Sequence, residues 1–423
     1  MEKKIEIIFD KFFEYKGNKF FAEGVDIGKL AEKYKTPLYI YSLNYLTKKI
    51  NDFKGAFSSF PSLICYSVKA NSNLSILKSI KTNGLGVDVV SEGELRRAII
   101  AGFGGDKIVF AGVGKTEEEI EFAIKNKIYC FNVENEKEIE FIEKYGKKYK
   151  RNVLYNIRLN LDLDIETHHY LKTSKNETKF GLDFETGKKI IKKQKENKYS
   201  KLIGFHFHLG SQIKSSSFYI KALEKISQFI KETKFYPEVI DIGGGFGIPY
   251  SPEDKVEPIK NFGEKICEYV QNMKVKKIIV EPGRFIVGNT GILLTKVLYV
   301  KKRGQKTFVI VDAGMNDLIR PSLYNSSHII VPYTKKQGKE VKVDVVGPIC
   351  ESGDFLGKDI LLPESISAGD YIIIGSCGAY GFSMSSNYNS RRRPAEIIVD
   401  GEKEILIRER EKFPDLWHNE LCL

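Results

Sequence analysis

From residue 60 onward the chain alternates short β-branched or aromatic runs with segments of helical period, and this alternation restricts its possible architectures more than any other feature. The runs are LICYSV (63–68), GVDVV (86–90), KIVFA (107–111), YCFNV (129–133), VLYNIRL (153–159), LIGFHFHL (202–209), EVIDI (238–242) and KKIIVE (276–281). Eight such units within about 220 residues suit a closed (β/α)8 barrel of the TIM type, with an open doubly wound sheet as the alternative. Helix starts are marked between them, since Ser91-Glu-Gly-Glu94 and Thr116-Glu-Glu-Glu119 both fit the capping box.

Beyond about residue 290 the pattern changes to successive strands with few helical stretches: LLTKVLYV, TFVIVDA, HIIVPY, KVDVVGPI, DYIIIGS, AEIIVDG and EILIRER. At 423 residues the chain exceeds one ordinary core, so an α/β barrel plus a C-terminal β domain is expected. The boundaries read as a barrel over 36–285 and a β domain over 286–423. The first 35 residues, with IEIIFD and KFFAEGVD, are expected to join the β domain.

Composition narrows the function classes. Hydrophobic residues make up 42% of the chain, enough for packed cores, and no run approaches the ~18 apolar residues of a membrane span. MEKKIEIIFD carries acids within its apolar run and no small-residue cleavage site, so a soluble, cytoplasmic protein is expected. Cys65, Cys130, Cys267, Cys350, Cys377 and Cys422 are scattered without a C-x-x-C pair, which suits neither a zinc site nor a disulfide framework. The net charge of +12 arises from lysines interleaved with glutamates along the whole length, and no nucleic-acid-binding motif accompanies it.

A barrel builds its active site at the C-terminal ends of its strands. Polar groups gather at those positions: Lys69 after the first strand, Asp88 in the second, Arg158 near the end of the fifth, and His206 and His208 in the sixth. Gly243, Gly244 and Gly245 of DIGGGFG follow the seventh, and Glu281-Pro-Gly-Arg284 ends the eighth. A glycine loop between strand and helix offers bare N–H groups to a phosphate, and loops after strands seven and eight are a common barrel phosphate site; a tight turn is the alternative. A phosphate site at one rim and a lysine at another suggest pyridoxal phosphate held as a Schiff base on Lys69, against a lysine that only reaches out to solvent. Glu281 can then partner the pyridine nitrogen, favouring the protonated ring. His208 reads as a ring-stacking imidazole with His206 as support; a His-x-His zinc pair lacks a further ligand cluster, so no metal is expected.

YSVKAN, HFHLGSQ, DIGGGFG, EPGRF, DAGMNDLIRPSLY, GPICESGD and GAYGFSMSSNYNSRRRPAE, in this order over nearly the whole chain, closely resemble the diaminopimelate decarboxylase family. The resemblance implies the alanine-racemase-like class of pyridoxal phosphate enzymes and decarboxylation of meso-2,6-diaminopimelate to L-lysine and CO2, the last step of lysine biosynthesis. It implies that Lys69 holds pyridoxal 5'-phosphate and that His208 stacks on it. Asp88 and Arg158 line the cofactor site. Ser211, Gly243, Gly244, Gly245, Gly283, Arg284 and Tyr380 lie at or near the phosphate. It further implies a homodimer in which Cys350 and Glu351 come from the second subunit. Arg284, Arg320 and Tyr324 would meet the distal carboxylate and Glu351 the distal ammonium, a task for which the planar guanidinium is suited, with Tyr380 a further substrate contact. Cys350 is the candidate donor of the proton that replaces CO2, with Lys69 as its rival.

The chain departs from the family pattern at Asn160-Leu161, His169, Ser174 and Arg392. Among rival readings, ornithine, arginine or carboxynorspermidine decarboxylases share the architecture but need no clamp for a distal amino-acid carboxylate. A non-catalytic binding homologue would have lost Lys69 or the phosphate groups, and this chain keeps both.

Overall fold

A computed structural model of the chain describes residues 2–163 and 178–421, so His169, Ser174 and Cys422 lie outside the described residues. The eight runs close into a parallel barrel of Ser62–Ser67, Gly86–Val89, Ile108–Phe110, Cys130–Val133, Val153–Arg158, Ser200–His206, Val239–Asp241 and Lys277–Val280. Pairing of Lys277–Val280 with Ser62–Ser67 makes the closure, which excludes the open sheet. Helices cover the outside and start where their caps predict. Thr116 forms a complete capping box with Glu119. Ser91 accepts the Glu94 N–H, but the Glu94 carboxylate reaches one residue further, to the N–H of Val90.

Side chains alternate across a strand, and in a barrel every second residue points inward. Along the inward series polarity rises towards the strand end: Leu63, Cys65, Ser67 on the first strand; Cys130, Asn132, Glu134 on the fourth; Val239, Asp241 on the seventh; Ile279, Glu281 on the eighth. The lower positions, with Val109 and Ile203, form an apolar floor. Burial among them pushes the Cys65 and Cys130 thiols well up, so both are inert packing groups. The sixth strand breaks the alternation between Leu202 and Gly204, where its register against the fifth shifts. The extra residue changes the phase, so odd-numbered Ile203 joins the floor while even-numbered His206 joins the polar layer.

The chain divides into two units: Lys49–Gly247 with Val256–Ile286, which holds the barrel, and Met1–Lys48 with Ile248–Lys255 and Val287–Leu423. The second unit carries a nine-stranded mixed sheet. Its central path runs Phe355–Pro363, Glu340–Val346, Lys306–Val311, Gly291–Arg303, Leu38–Ser42, Ala395–Asp400, Lys403–Arg408, with Tyr371–Ile374 and Ile330–Pro332 paired off it. Two corrections follow. The barrel does not begin at residue 36, because Leu38–Ser42 is fully buried between Gly291–Arg303 and Ala395–Asp400 in the sheet. The β unit also takes Ile248–Lys255 from within the expected barrel range. Ile5–Phe9 of IEIIFD is helical, part of Glu2–Phe9, and buries Ile5, Ile8 and Phe9 on one side. Phe13–Lys16, Lys19–Ala22 and Val25–Asp26 form a separate three-stranded sheet in the same unit. Among the described residues no helix is long and apolar enough to cross a membrane.

Candidate active site

At the mouth of the barrel, Lys69 lies in a single 3-10 turn, Val68–Ala70, directly after the first strand. Its Nζ donates to Asp88 Oδ2 at 2.9 Å, and Ser67 Oγ lies 3.0 Å from the same oxygen. Asp88 is fully buried, and its Oδ1 meets no hydrogen-bond partner among the described residues. Burial and the neighbouring Glu281 push its carboxyl up to about 7 against the pull of Lys69.

Below the lysine lies a layer of buried polar side chains. Asn132 Nδ2 donates to Asp241 Oδ2 at 2.8 Å and to Glu281 Oε1 at 3.1 Å, while Asn156 donates to Asn132 Oδ1 at 2.9 Å. His206 Nε2 stands 3.5 Å from Glu281 Oε2. Burial opposes ionising Glu281, yet the His206 imidazole and the Lys69 ammonium hold it below the ordinary carboxylate range. Asp241 moves the other way, raised by burial and by the Glu281 charge. The layer therefore concentrates its negative charge on Glu281, flanked by two carboxyls that tend to keep their protons. Glu281 is buried, so it is not a surface acid.

His206, Asp241 and Glu281 bring ligand atoms within 4.8 Å of one another, a grouping the sequence did not suggest. The Asn132 amide already donates to both carboxylates, which suits a hydrogen-bonded layer better than a cation.

The glycine loop lies beside this layer. Gly243 and Gly245 have φ of 64° and 104°, a region that favours glycine. A Cβ on Gly244 would stand 2.0 Å from the Glu281 carbonyl oxygen, so the loop runs as bare backbone against the eighth strand. The Gly243 N–H is held by Asp241 Oδ1 at 3.0 Å and the Gly244 N–H by His208 Nδ1 at 3.2 Å. Burial and the nearby Lys69 and Arg158 keep the His208 imidazole well below its usual range, hence neutral and able to accept. Arg284 Nη2 donates to Ser211 Oγ at 2.8 Å, placing a cation and a hydroxyl together. The Gly283–Arg284 step follows the eighth strand directly.

Arg158 ends the fifth strand and donates to Glu134 Oε1 at 2.6 Å, with its guanidinium 4.8 Å from the Phe180 ring centroid. Glu134 Oε2 also accepts the Gly181 N–H at 3.0 Å. Glu134, Asn132, Asn156 and Asp241 were not singled out from sequence. Each is a polar residue inside a strand-forming run or at its end, and that anomaly was the available signal. Asn160, one of the departures, binds the Phe180 carbonyl at 3.1 Å, and Leu161 is buried, so both act in local packing.

The remaining expected residues belong to the β unit. Arg320 begins the short helix Arg320–Tyr324 and is buried, so it is not a surface charge. Its guanidinium lies 5.0 Å from the Tyr250 ring and 5.8 Å from the Tyr324 ring. Ser322 Oγ donates to the Gly353 carbonyl at 2.6 Å, tying this helix to the segment bearing Cys350 and Glu351. Both of those residues are exposed. Tyr380 is half-buried with φ of 56°, a strained position for a tyrosine and of the kind found at functional sites. Arg392, another of the departures, stacks 4.3 Å from the Phe413 ring.

The barrel mouth fits pyridoxal phosphate on structural grounds: a lysine beside a buried carboxylate, an ionised acid at depth, a bare glycine loop, and a hydroxyl–guanidinium pair next to it.

Comparison with known proteins agrees with this chemistry. Residues 43–288 match the pyridoxal-dependent decarboxylase, pyridoxal binding domain. The chain is 42% identical over 408 residues to a diaminopimelate decarboxylase of Aquifex aeolicus, covering 96% of each. It superposes on the diaminopimelate decarboxylase of Helicobacter pylori complexed with L-lysine with a TM-score of 0.88 at 39% identity, covering 93% of this chain and 99% of that one. For the M. jannaschii enzyme in co-complex with L-lysine the TM-score is 0.92 at 35% identity, covering 97% and 98%. Sequence, barrel architecture and mouth chemistry thus agree along almost the whole length, and the chain belongs to the diaminopimelate decarboxylase family of pyridoxal phosphate-dependent enzymes.

Proposed function

We infer that this chain decarboxylates meso-2,6-diaminopimelate to L-lysine and CO2 with pyridoxal 5'-phosphate, in the cytoplasm, as the last step of lysine biosynthesis, and that the barrel mouth around Lys69 performs the chemistry. The observation that carries the site assignment is the 2.9 Å pair between Lys69 Nζ and buried Asp88, set above ionised Glu281. Bound pyridoxal phosphate supplies the electron sink that decarboxylation requires.

The roles of the protein groups follow from their positions. Lys69 would hold the cofactor through Nζ, and Asp88 pairs with the Nζ ammonium whenever the lysine is free. Glu281, kept ionised, would favour a protonated ring nitrogen. His208 would lie against the ring face. Gly245, with Ser211, Gly283, Arg284 and Tyr380, would hold the phosphate, while Gly243 and Gly244, whose N–H groups bind Asp241 and His208, shape the loop beside it. Arg158, fixed by Glu134, closes the rim on the fifth-strand side.

Arg284, Arg320 and Tyr324 serve the distal carboxylate of the substrate, Glu351 its distal ammonium, and Tyr380 is a further substrate contact. Cys350 Sγ gives the proton to the carbon that has lost CO2, with Lys69 Nζ as the competing donor. Cys350 and Glu351 act in the partner's site within a homodimer, which agrees with their exposure on this chain.

An absorbance spectrum with pyridoxal phosphate, with lysine and CO2 assayed after adding meso-diaminopimelate, tests the reading. Lys69→Ala is expected to abolish the cofactor absorbance typical of the parent and to cut turnover by more than about a thousandfold, as loss of a covalent catalytic group does. A Lys69→Ala protein with unchanged spectrum and activity overturns the assignment. Unchanged cofactor binding in the parent with no turnover on meso-diaminopimelate, but turnover on ornithine or arginine, moves the function to those substrates.

A further inference from the structure

The segment Gly347–Asp354 carries Cys350 and Glu351 on a loop that is fixed from several sides. Within it, the Glu351 N–H binds the Ile349 carbonyl at 2.8 Å and the Asp354 N–H binds the Glu351 carbonyl at 3.1 Å. The buried Asp354 carboxylate accepts the N–H groups of Met315 and Ile349, each at 2.7 Å. These bonds fix the flanks. The N–H of Cys350 itself is held by one group from elsewhere in the chain, the Asn389 side chain, whose Oδ1 accepts it at 2.9 Å.

Asn389 is presented with some effort. It sits at φ 54° and ψ 29°, followed by Ser390 at φ 53°, so two successive residues occupy the left-handed region. Asparagine tolerates that conformation better than most residues. The turn is tied at its flanks: Asn387 Nδ2 donates to the Arg391 carbonyl at 3.0 Å and to Glu411 Oε2 at 2.6 Å, and the Arg393 N–H meets the same Glu411 oxygen at 2.8 Å. Asn389 and Cys350 are both exposed on this chain, so packing within the chain does not explain why a strained turn is latched here. The latch delivers an amide oxygen to the backbone of the residue whose thiol must be in register.

We propose that Asn389 is the positioning residue for Cys350, fixing the Cys350 backbone so that Sγ stands where the proton is to be delivered. This rests on the assignment of Cys350 as proton donor made above. Without the Asn389 amide the Cys350 N–H turns to water, and the residue gains torsional freedom while both flanks stay fixed by Asp354. Displacement of a reacting group by about 1 Å is enough to slow a step substantially.

Two substitutions separate the contributions. Asn389→Gly keeps the left-handed turn at no strain and removes the amide oxygen; Asn389→Asp keeps an acceptor in place. The measurements are kcat and KM for meso-diaminopimelate on the holoenzyme, the cofactor spectrum, and the rate of iodoacetamide alkylation of Cys350. Alkylation is followed in a Cys422→Ser background, since Cys65, Cys130, Cys267 and Cys377 are buried.

Asn389→Gly is expected to lower kcat about tenfold with KM within about twofold, to leave the spectrum unchanged and to alter the alkylation rate, with Asn389→Asp recovering most of kcat. Unchanged kcat and alkylation in Asn389→Gly, alongside a Cys350→Ala control that loses activity, overturns the positioning role alone. Full activity in Cys350→Ala overturns the proton-donor assignment and the positioning role with it. A KM increase without a kcat decrease moves Asn389 to substrate binding and also overturns the proposal.

Discussion

Asp317 shows at the scale of one residue what burial does to a carboxyl. It is almost inaccessible, accepts the Gly314 N–H at 3.0 Å, and is pushed up to about 7, first by burial and against the pull of that N–H and Arg391. Between its ordinary 3.8 and about 7 the folded chain therefore binds a proton that the unfolded chain has released. Stability must fall as pH rises through that window. Asp317→Asn has no charge to bury, so its melting temperature is expected to decline less between pH 5 and 8 than that of the parent; parallel declines in a pair of thermal scans would rule this out. At the same scale, Lys69, Glu281 and the three glycines were legible because each stands at the end of a strand-forming run, where an ammonium, an acid or a bare backbone has no packing reason to be. Asn132, Asn156 and Asp241 were not, because they matter through partners on other strands, and those pairings exist only once the barrel has closed.

Among the elements, the barrel strands were readable because each run is short, apolar and bounded by a helix start. The helix that begins after Thr116 offers a direct check. Its cap joins Thr116 Oγ1 to the Glu119 N–H at 3.2 Å and the Glu119 carboxylate to the Thr116 N–H at 3.0 Å. Thr116→Ala removes the first bond, so denaturant unfolding should show a loss of about 1 kcal/mol with activity retained. A loss near zero would mean that water replaces the cap at no cost. Other elements escaped the sequence for identifiable reasons. Phe355–Pro363 contains Gly357, Lys358 and Asp359, the last at φ 54°, so its alternation is interrupted where it pairs irregularly with Glu340–Val346. Glu2–Phe9 does not read as a helix because its isoleucines are β-branched, yet Ile5, Ile8 and Phe9 recur at helical spacing and that pattern prevails. The shift in the sixth strand is invisible to any rule of strict alternation, although it decides which residues meet His206.

For the whole molecule, the central expectation is that one active site takes groups from two copies of the chain. Lys69→Ala and Cys350→Ala would each be inactive as homodimers. Random reassociation of an equal mixture makes half of the dimers mixed, each with one intact site, so activity should recover to about a quarter of the parent value. No recovery after verified subunit exchange would place Cys350 in the same chain's site or outside catalysis. The strand Leu38–Ser42 has a different consequence, one of timing. Its neighbours in the sheet, Gly291–Arg303 and Ala395–Asp400, are encoded after the whole barrel, and the roughly 350 residues from Ser42 to Ala395 take about 20 to 70 s to synthesise at about 5–20 residues per second. For roughly the first 250 of those residues, until Gly291–Arg303 is made, both edges of a strand destined for full burial lack their partners, and the second edge waits for Ala395–Asp400. A nascent chain stalled near residue 286 would thus carry a complete set of barrel strands and one strand whose sheet neighbours do not yet exist, so the second unit can complete its sheet only after the first has all of its strands.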